Sequence, residues 1–228
     1  KTYMDFFGTS TNSNDKKKKL KENKPIIGAS VNFNKINKNI QAIMFYSDKN
    51  KGHNQEKYKY GIFGEAKTSS PVTTSTSSPV TTSSNSNYKK YLGKDSLRDI
   101  SKNSAKQDFR CPPNSAIYKI EGVHDNNGLK GLKFYCQDIY TGKSRKAYNP
   151  DNKKVYGVSF GVEPFPESDE YYYDKIECPF TKTTIKNSKN KEIDTMKPSF
   201  ISHIGGTFDK NKNKIYNINV GSCSYYKK

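Results

Sequence analysis

Ala116-Ile117-Tyr118-Lys119-Ile120-Glu121-Gly122-Val123, a turn at Asp125 to Gly128, and Leu129-Lys130-Gly131-Leu132-Lys133-Phe134-Tyr135-Cys136 form the stretch whose pattern decides the fold class. Both runs are rich in β-branched and aromatic residues, and both mix apolar with polar positions as a half-buried strand does. Asp-Asn-Asn-Gly between them is turn chemistry. The stretch therefore predicts a β-hairpin with one buried face.

Three other segments repeat the scheme of a β-rich run, a small residue, a polar turn and an apolar-x-x-apolar-x-apolar run. They are Ile26–Val31 with Ile40–Phe45, Val155–Gly161 with Tyr173–Cys178, and Phe200–Gly206 with Ile215–Cys223. One hairpin buries too little to be stable alone, whereas several packed face to face share a core. The irregular spacing predicts pseudo-repeats with insertions, within an all-β, antiparallel fold.

Residues 1–24, with a Lys16–Lys19 run, are expected to be a basic polar arm or insertion, and 25–67 the first β segment. Residues 68–107 read as a Ser/Thr/Pro-rich disordered loop or linker, and 108–228 as the disulfide-stapled β-rich part of the same domain. In that linker SSPVTTST is followed by SSPVTTSS, starting at Ser69 and Ser77. Such low-complexity sequence cannot bury a core and suits an extended linker or an O-glycosylated stalk. Lys94–Gln107 has a weak helical tendency.

The hydrophobic fraction is 32%, against the ~45–50% of an average globular domain. Yet 13% of residues are aromatic, which disordered chains lack, so folded β-structure sits among long polar segments. The formal charge is +18, and Arg98, Arg110 and Arg145 are the only arginines. A Lys-rich surface attracts anionic polysaccharide or acidic lipid. Scarce Arg speaks against nucleic acid, for which Arg supplies the bidentate fork. Abundant Lys and Asn also fit a genome whose base composition favours their codons, which would account for much of the charge.

Cys111, Cys136, Cys178 and Cys223 form no CxxC pair, and His53, His124 and His203 are scattered, so no metal site is expected. An even count reads as two disulfides in a secreted or extracellular-surface protein. Three connectivities are open, with 111–136 and 178–223 ranked first because each half then holds its own staple. No run approaches the ~20 apolar residues of a membrane span. The opening Lys1-Thr2-Tyr3, without initiator Met or signal peptide, suggests a mature or excised fragment. No Asn-x-Ser/Thr sequon is present.

With their β-rich runs, glycines and polar turns, the segments resemble jacalin-related lectins. Cys111-Pro112 to Cys136, and Val158-Ser159-Phe160-Gly161-Val162-Glu163-Pro164 leading to Ile176-Glu177-Cys178, are similar to the vitelline membrane outer layer protein family. The resemblance covers roughly residues 25–64 and 108–226. It implies a β-prism: three twisted antiparallel sheets around one core, with loops at the prism ends free for sugar. At the position of the lectins' sugar-binding Asp stand Gln41, Lys130 and Tyr216, and only Asp174 offers a carboxylate. Gly205-Gly206-Thr207-Phe208-Asp209 matches a Gly-x-x-x-Asp sugar motif. Candidate ligand residues are therefore Asp174, Tyr172, Tyr173, Gly205, Gly206 and Asp209, since Tyr offers a stacking face and a hydroxyl.

No nucleophile elbow, zinc motif or phosphate loop occurs. His124 beside Asp125 and His203 after Ser202 lack partners in sequence. Glu163, Glu167, Asp169 and Glu170 suit a solvated loop better than paired catalytic carboxylates or a cation site. The expectation is a non-enzymatic, lectin-like adhesion module without cofactor, of the kind used in host-cell invasion, binding a glycan or cell-surface protein. The alternatives are a membrane-binding accessory domain of a pore-forming, perforin-like protein and a scaffold in a multi-protein surface complex.

Overall fold

The hairpin quoted above forms β7 (Ser115–Asp125) and β8 (Gly128–Asp138), antiparallel, with Ile117, Ile120, Leu132 and Phe134 buried in the core. This computed structural model describes residues 5–8, 16–21, 25–48, 57–64, 103–209 and 214–226. Two further hairpins match the first: β3 (Ile26–Asn34) with β4 (Ile40–Asp48), and β16 (Ser199–Asp209) with β17 (Lys214–Tyr225).

Each hairpin is the centre of a sheet and is flanked by one strand on each side. The first sheet adds β5 (Lys57–Gly64) against β4 and β6 (Ser104–Arg110) against β3. The second adds β12 (Val158–Gly161) against β8 and β13 (Tyr172–Glu177) against β7, with β9 (Ser144–Arg145) also on β8. The third adds β1 (Asp5–Gly8) against β17 and β2 (Lys16–Lys21) against β16. Two small hairpins complete the described residues: β10 (Ala147–Tyr148) with β11 (Lys154–Val155), and β14 (Thr181–Lys186) with β15 (Glu192–Lys197).

One apolar cluster joins the three sheets, as a β-prism requires. Val31, Phe45 and Phe109 come from the first sheet, Phe134, Phe160 and Ile176 from the second, and Ile201, Ile218 and Val220 from the third. Phe109 stacks on Phe134 at 5.3 Å between ring centroids, and Phe160 packs beside both at 5.7 Å. Such pairs add roughly 0.5–1.5 kcal/mol beyond their burial.

The repeat is threefold rather than fourfold. The third segment is not a hairpin: β12 and β13 straddle β7 and β8 at opposite edges of the second sheet. A β-rich run followed by another is the same signal for neighbouring strands and for strands separated by a hairpin, so the pattern alone overcounts. Residues 1–24, expected as a polar arm, supply both outer strands of the third sheet. Edge strands need only one buried face and tolerate lysine, which hides them in a polar sequence. Residues 104–107, expected within the linker and weakly helical, belong to β6. The Ser/Thr/Pro repeat lies outside the described residues. In sequence it lies between β5 and β6, the two edge strands of the first sheet.

Antiparallel pairing sends like connections to like ends. One end gathers the turns at 35–39 and 126–127, the 162–171 loop and the facing strand ends at Asp209 and Lys214. Gly128, with φ +132, belongs there: a Cβ would stand 2.9 Å from the Ile215 carbonyl oxygen, and L side chains rarely adopt this φ. The other end carries both disulfides. Cys111–Cys136 ties the end of β6 to β8, and Cys178–Cys223 ties the end of β13 to β17, so each joins one sheet to the next.

Candidate binding site

The six ligand residues expected from sequence do not form one site. Asp174 and Tyr172 share the face of core residue Ile176, because side chains two apart lie on one side of a strand. There the Asp174 carboxylate is 3.0 Å from Nε2 of His124, and Tyr172, 61% exposed, sets its ring 5.3 Å from the imidazole. Tyr173 is on the opposite, outer face. Burial, followed by the charge and hydrogen bond of Glu121, pushes its hydroxyl up to about 12.

Gly205 and Gly206 are buried inside β16, paired with Asn219 and Ile218 on one side and with Lys19 and Lys18 on the other. They are strand residues rather than a sugar-binding loop, since both backbone edges are taken up by ladder pairing. Asp209 ends β16 opposite Lys214, and its side chain lies outside the described residues. At the other positions of the lectin carboxylate, Gln41 is buried and Tyr216 half-buried. Lys130 is buried and structural: its ammonium donates to the Asn37 carbonyl (3.1 Å) and Asn39 Oδ1 (2.7 Å) and pairs with Asp125 at 3.2 Å.

The catalytic candidates resolve in the same way. His203 hydrogen-bonds Ser222 through Nδ1, within a row of hydroxyls formed by Ser202, Ser222 and Ser224. In the acidic loop Glu163 pairs with Lys133. No group of His, Cys, Asp or Glu among the described residues has the arrangement to hold a metal ion.

The surface feature that the sequence left unmarked is on the outer face of the second sheet. Tyr135 is its centre. The phenol donates to Glu121 Oε2 at 2.6 Å, and Lys119 Nζ lies 3.8 Å over the ring centroid. Burial and the Glu121 carboxylate together hold the Tyr135 hydroxyl above the usual phenol range. Beside it the β10–β11 hairpin folds back over the sheet, and Gly157, at φ +132, lets the chain lie against the ring. A Cβ there would be 2.7 Å from Tyr135 Cε1 and 2.7 Å from Lys133 Cε.

Between this hairpin, β12 and the edge strand β6 opens a cleft of about 570 Å³. Its walls include Gln107, Asn149, Asp151, Tyr156 and Ser159, with the Lys133–Glu163 pair at one side. Lectins of solved structure are similar to this chain. The crystal structure of Calystegia sepium agglutinin superposes with a TM-score of 0.43 at 13% identity, covering 97% of both chains. Calsepa lectin in complex with a biantennary N-glycan gives 0.43 at 14%, over 98% of this chain and 97% of that one. No protein-family model matches the chain, and no curated protein matches it by sequence.

The sequence signal that could have drawn attention to the cleft is turn chemistry. Asn149-Pro150-Asp151-Asn152 carries Asn149 Oδ1 accepting from the Lys153 amide at 2.8 Å and Asn152 at φ +61. That signature marks a tight reversal, but nothing in it says that the reversal will fold onto Tyr135, 14 residues upstream of Asn149.

Proposed function

We propose that this chain is a non-catalytic, lectin-like binding module of an extracellular surface, and that its partner is a glycan or a glycosylated protein. The observation that carries the reading is the polar cleft with an aromatic wall on a rigid, disulfide-held β body. Ligand sites combine such an aromatic wall with a few placed polar groups, in clefts of roughly 300–1,000 Å³. Two disulfides between sheets suit an oxidising compartment. The loops of the turn end, with exposed Ile36, Phe165 and Tyr172, are the competing surface.

The test is a glycan array and a cell-surface binding assay with the oxidised chain. Saturable binding to a defined glycan is expected. A folded chain that retains nothing but salt-labile attachment to heparin would overturn the reading.

The second reading, a membrane-binding accessory domain, is favoured by one observation. The β14–β15 hairpin is exposed along most of both strands, with Ile185 opposite Ile193 and Lys186, Lys189 and Lys191 about its tip. Flotation with liposomes containing or lacking phosphatidylserine separates the two, since acidic lipid attracts clustered lysine by about 1 kcal/mol per residue. Co-purification with surface proteins would instead favour a scaffold.

A further inference from the structure

We infer that the cleft beside Tyr135 binds a neutral oligosaccharide, with Asp151 as principal acceptor, Ser159 and Gln107 as hydrogen-bonding walls, and Tyr156 as the stacking face; this rests on the lectin-like reading above. The first ground is uncommitted hydrogen-bonding capacity. Among the described residues the Asp151 carboxylate, the Ser159 hydroxyl and the Gln107 carboxamide have no polar partner, although all three line one cleft. They come from three elements: the β10–β11 turn, β12 and β6. Together they offer a charged acceptor, a hydroxyl that both donates and accepts, and an amide with both functions. Vicinal sugar hydroxyls require that mixture.

The second ground is charge. The chain carries +18 overall, yet the ionised groups among the lining residues are Lys133, Glu163 and Asp151. Lys133 and Glu163 neutralise each other, which leaves one negative charge. Nearby Lys146 and Lys154 are set over the rings of Tyr156 and Tyr148, at 5.0 and 5.3 Å, rather than among the lining groups. A polyanion is drawn to the rest of the surface, whereas this cleft favours a neutral polyol.

The third ground is preorganisation. The lining residue Gly157 lies against Tyr135, which is itself fixed by its hydrogen bond to Glu121 and by Lys119 over the ring. Little ordering remains to oppose binding. Tyr156, 56% exposed at the rim, presents an aromatic surface at low conformational cost.

The experiment uses the full oxidised chain on an array of neutral mannose- and galactose-terminated oligosaccharides with heparin fragments as the anionic arm, then calorimetry with the strongest neutral binder. Asp151→Asn should weaken binding by about tenfold or more, because a hydrogen bond to a charged group is among the stronger ones. Tyr156→Ala should do likewise, and Ser159→Ala should weaken it about threefold. Affinity should change less than about twofold between 0.1 and 0.5 M salt, where screening removes long-range attraction. Gly157→Ala, which lifts the hairpin while leaving every polar group in place, should also lose binding.

Glycan binding that survives Asp151→Asn and Tyr156→Ala but falls with Tyr172→Ala would overturn the assignment of the cleft and leave the lectin-like reading standing. Binding to heparin fragments alone, or to no glycan by a chain that still unfolds cooperatively, would overturn both.

Discussion

At one end of the prism each of two disulfides joins a sheet to its neighbour; at the other a single buried ammonium, Lys130, gathers two turns. The first device acts chiefly on the unfolded chain, whose freedom it limits. The second acts on the folded state, where it satisfies carbonyl and amide oxygens and pairs with Asp125. The ends should therefore fail in different ways: the disulfide end when its covalent links are removed, the turn end when the ammonium that bridges its turns is lost.

The largest effect belongs to the disulfides. Cys178–Cys223 closes a sequence separation of 45 and Cys111–Cys136 one of 25, so replacing each pair with serine should cost about 4 and about 3.5 kcal/mol respectively in the chain-entropy picture. Guanidinium unfolding of Cys178→Ser/Cys223→Ser and Cys111→Ser/Cys136→Ser measures both. A loss under about 1 kcal/mol for either would mean that packing alone holds that seam.

Next comes the turn end. Lys130→Met keeps the aliphatic stem but removes the donor to two oxygens of the 35–39 turn and the counter-charge of Asp125, which still accepts from the Asn127 amide, at a cost of about 1–2 kcal/mol. Adding Asp125→Asn should recover part of the loss, because the charge that suffers most is then gone. If the single variant is neutral by thermal unfolding, the turn end is held by its backbone and not by Lys130.

These contrasts also explain what was legible in the sequence. The three central hairpins stood out because their inward faces must be apolar at fixed spacing and their turns need particular residues. Of three open disulfide pairings, placement along the chain ranked first the one the structure holds. Edge strands such as Lys16–Lys21 were unreadable, as lysine in an edge strand looks like lysine in an arm. The cleft was hidden for another reason: Gln107, Ser159 and Asp151 are ordinary residues whose juxtaposition depends on how β10–β11 folds over the sheet. Gly205 and Gly206 misled in the opposite direction, since a Gly-x-x-x-Asp string has the same appearance in a loop and in a strand.

The two ends should also differ in the pH at which they weaken. At the turn end, the Glu170 hydrogen bond and then burial hold the Tyr171 hydroxyl up to about 12, as burial and Glu121 do for Tyr173. Unfolded tyrosines ionise near 10. Between pH about 10 and about 12 the unfolded chain thus sheds protons that the folded one retains, and stability falls as pH rises. At the disulfide end, burial would raise the Asp138 carboxyl, but amide hydrogen bonds from Thr141 and Tyr140, the Thr141 hydroxyl and Arg145 outweigh it and lower it. Its contribution is complete above the ordinary value of 3.8 and is lost as pH drops through the lowered one. Chemical denaturation across pH should show Tyr173→Phe flattening only the alkaline limb and Asp138→Asn only the acid limb.

The smallest effect sharpens the contrast inside the disulfide end itself. Between Cys178 and β16 the chain extends the β14–β15 hairpin, whose Ile185 and Ile193 are each 45% exposed and face one another across the strands. A pair so exposed contributes little beyond its own contact, and surface changes away from special features stay within about 0.5 kcal/mol. Ile185→Asn and Ile193→Asn should therefore leave the unfolding midpoint unchanged, even though the base of the hairpin is next to a disulfide that contributes about 4 kcal/mol. A loss above about 1 kcal/mol would show that the two isoleucines support the body of the prism. An unchanged midpoint accompanied by lost binding to phosphatidylserine liposomes would assign them instead to contact with a surface outside the chain.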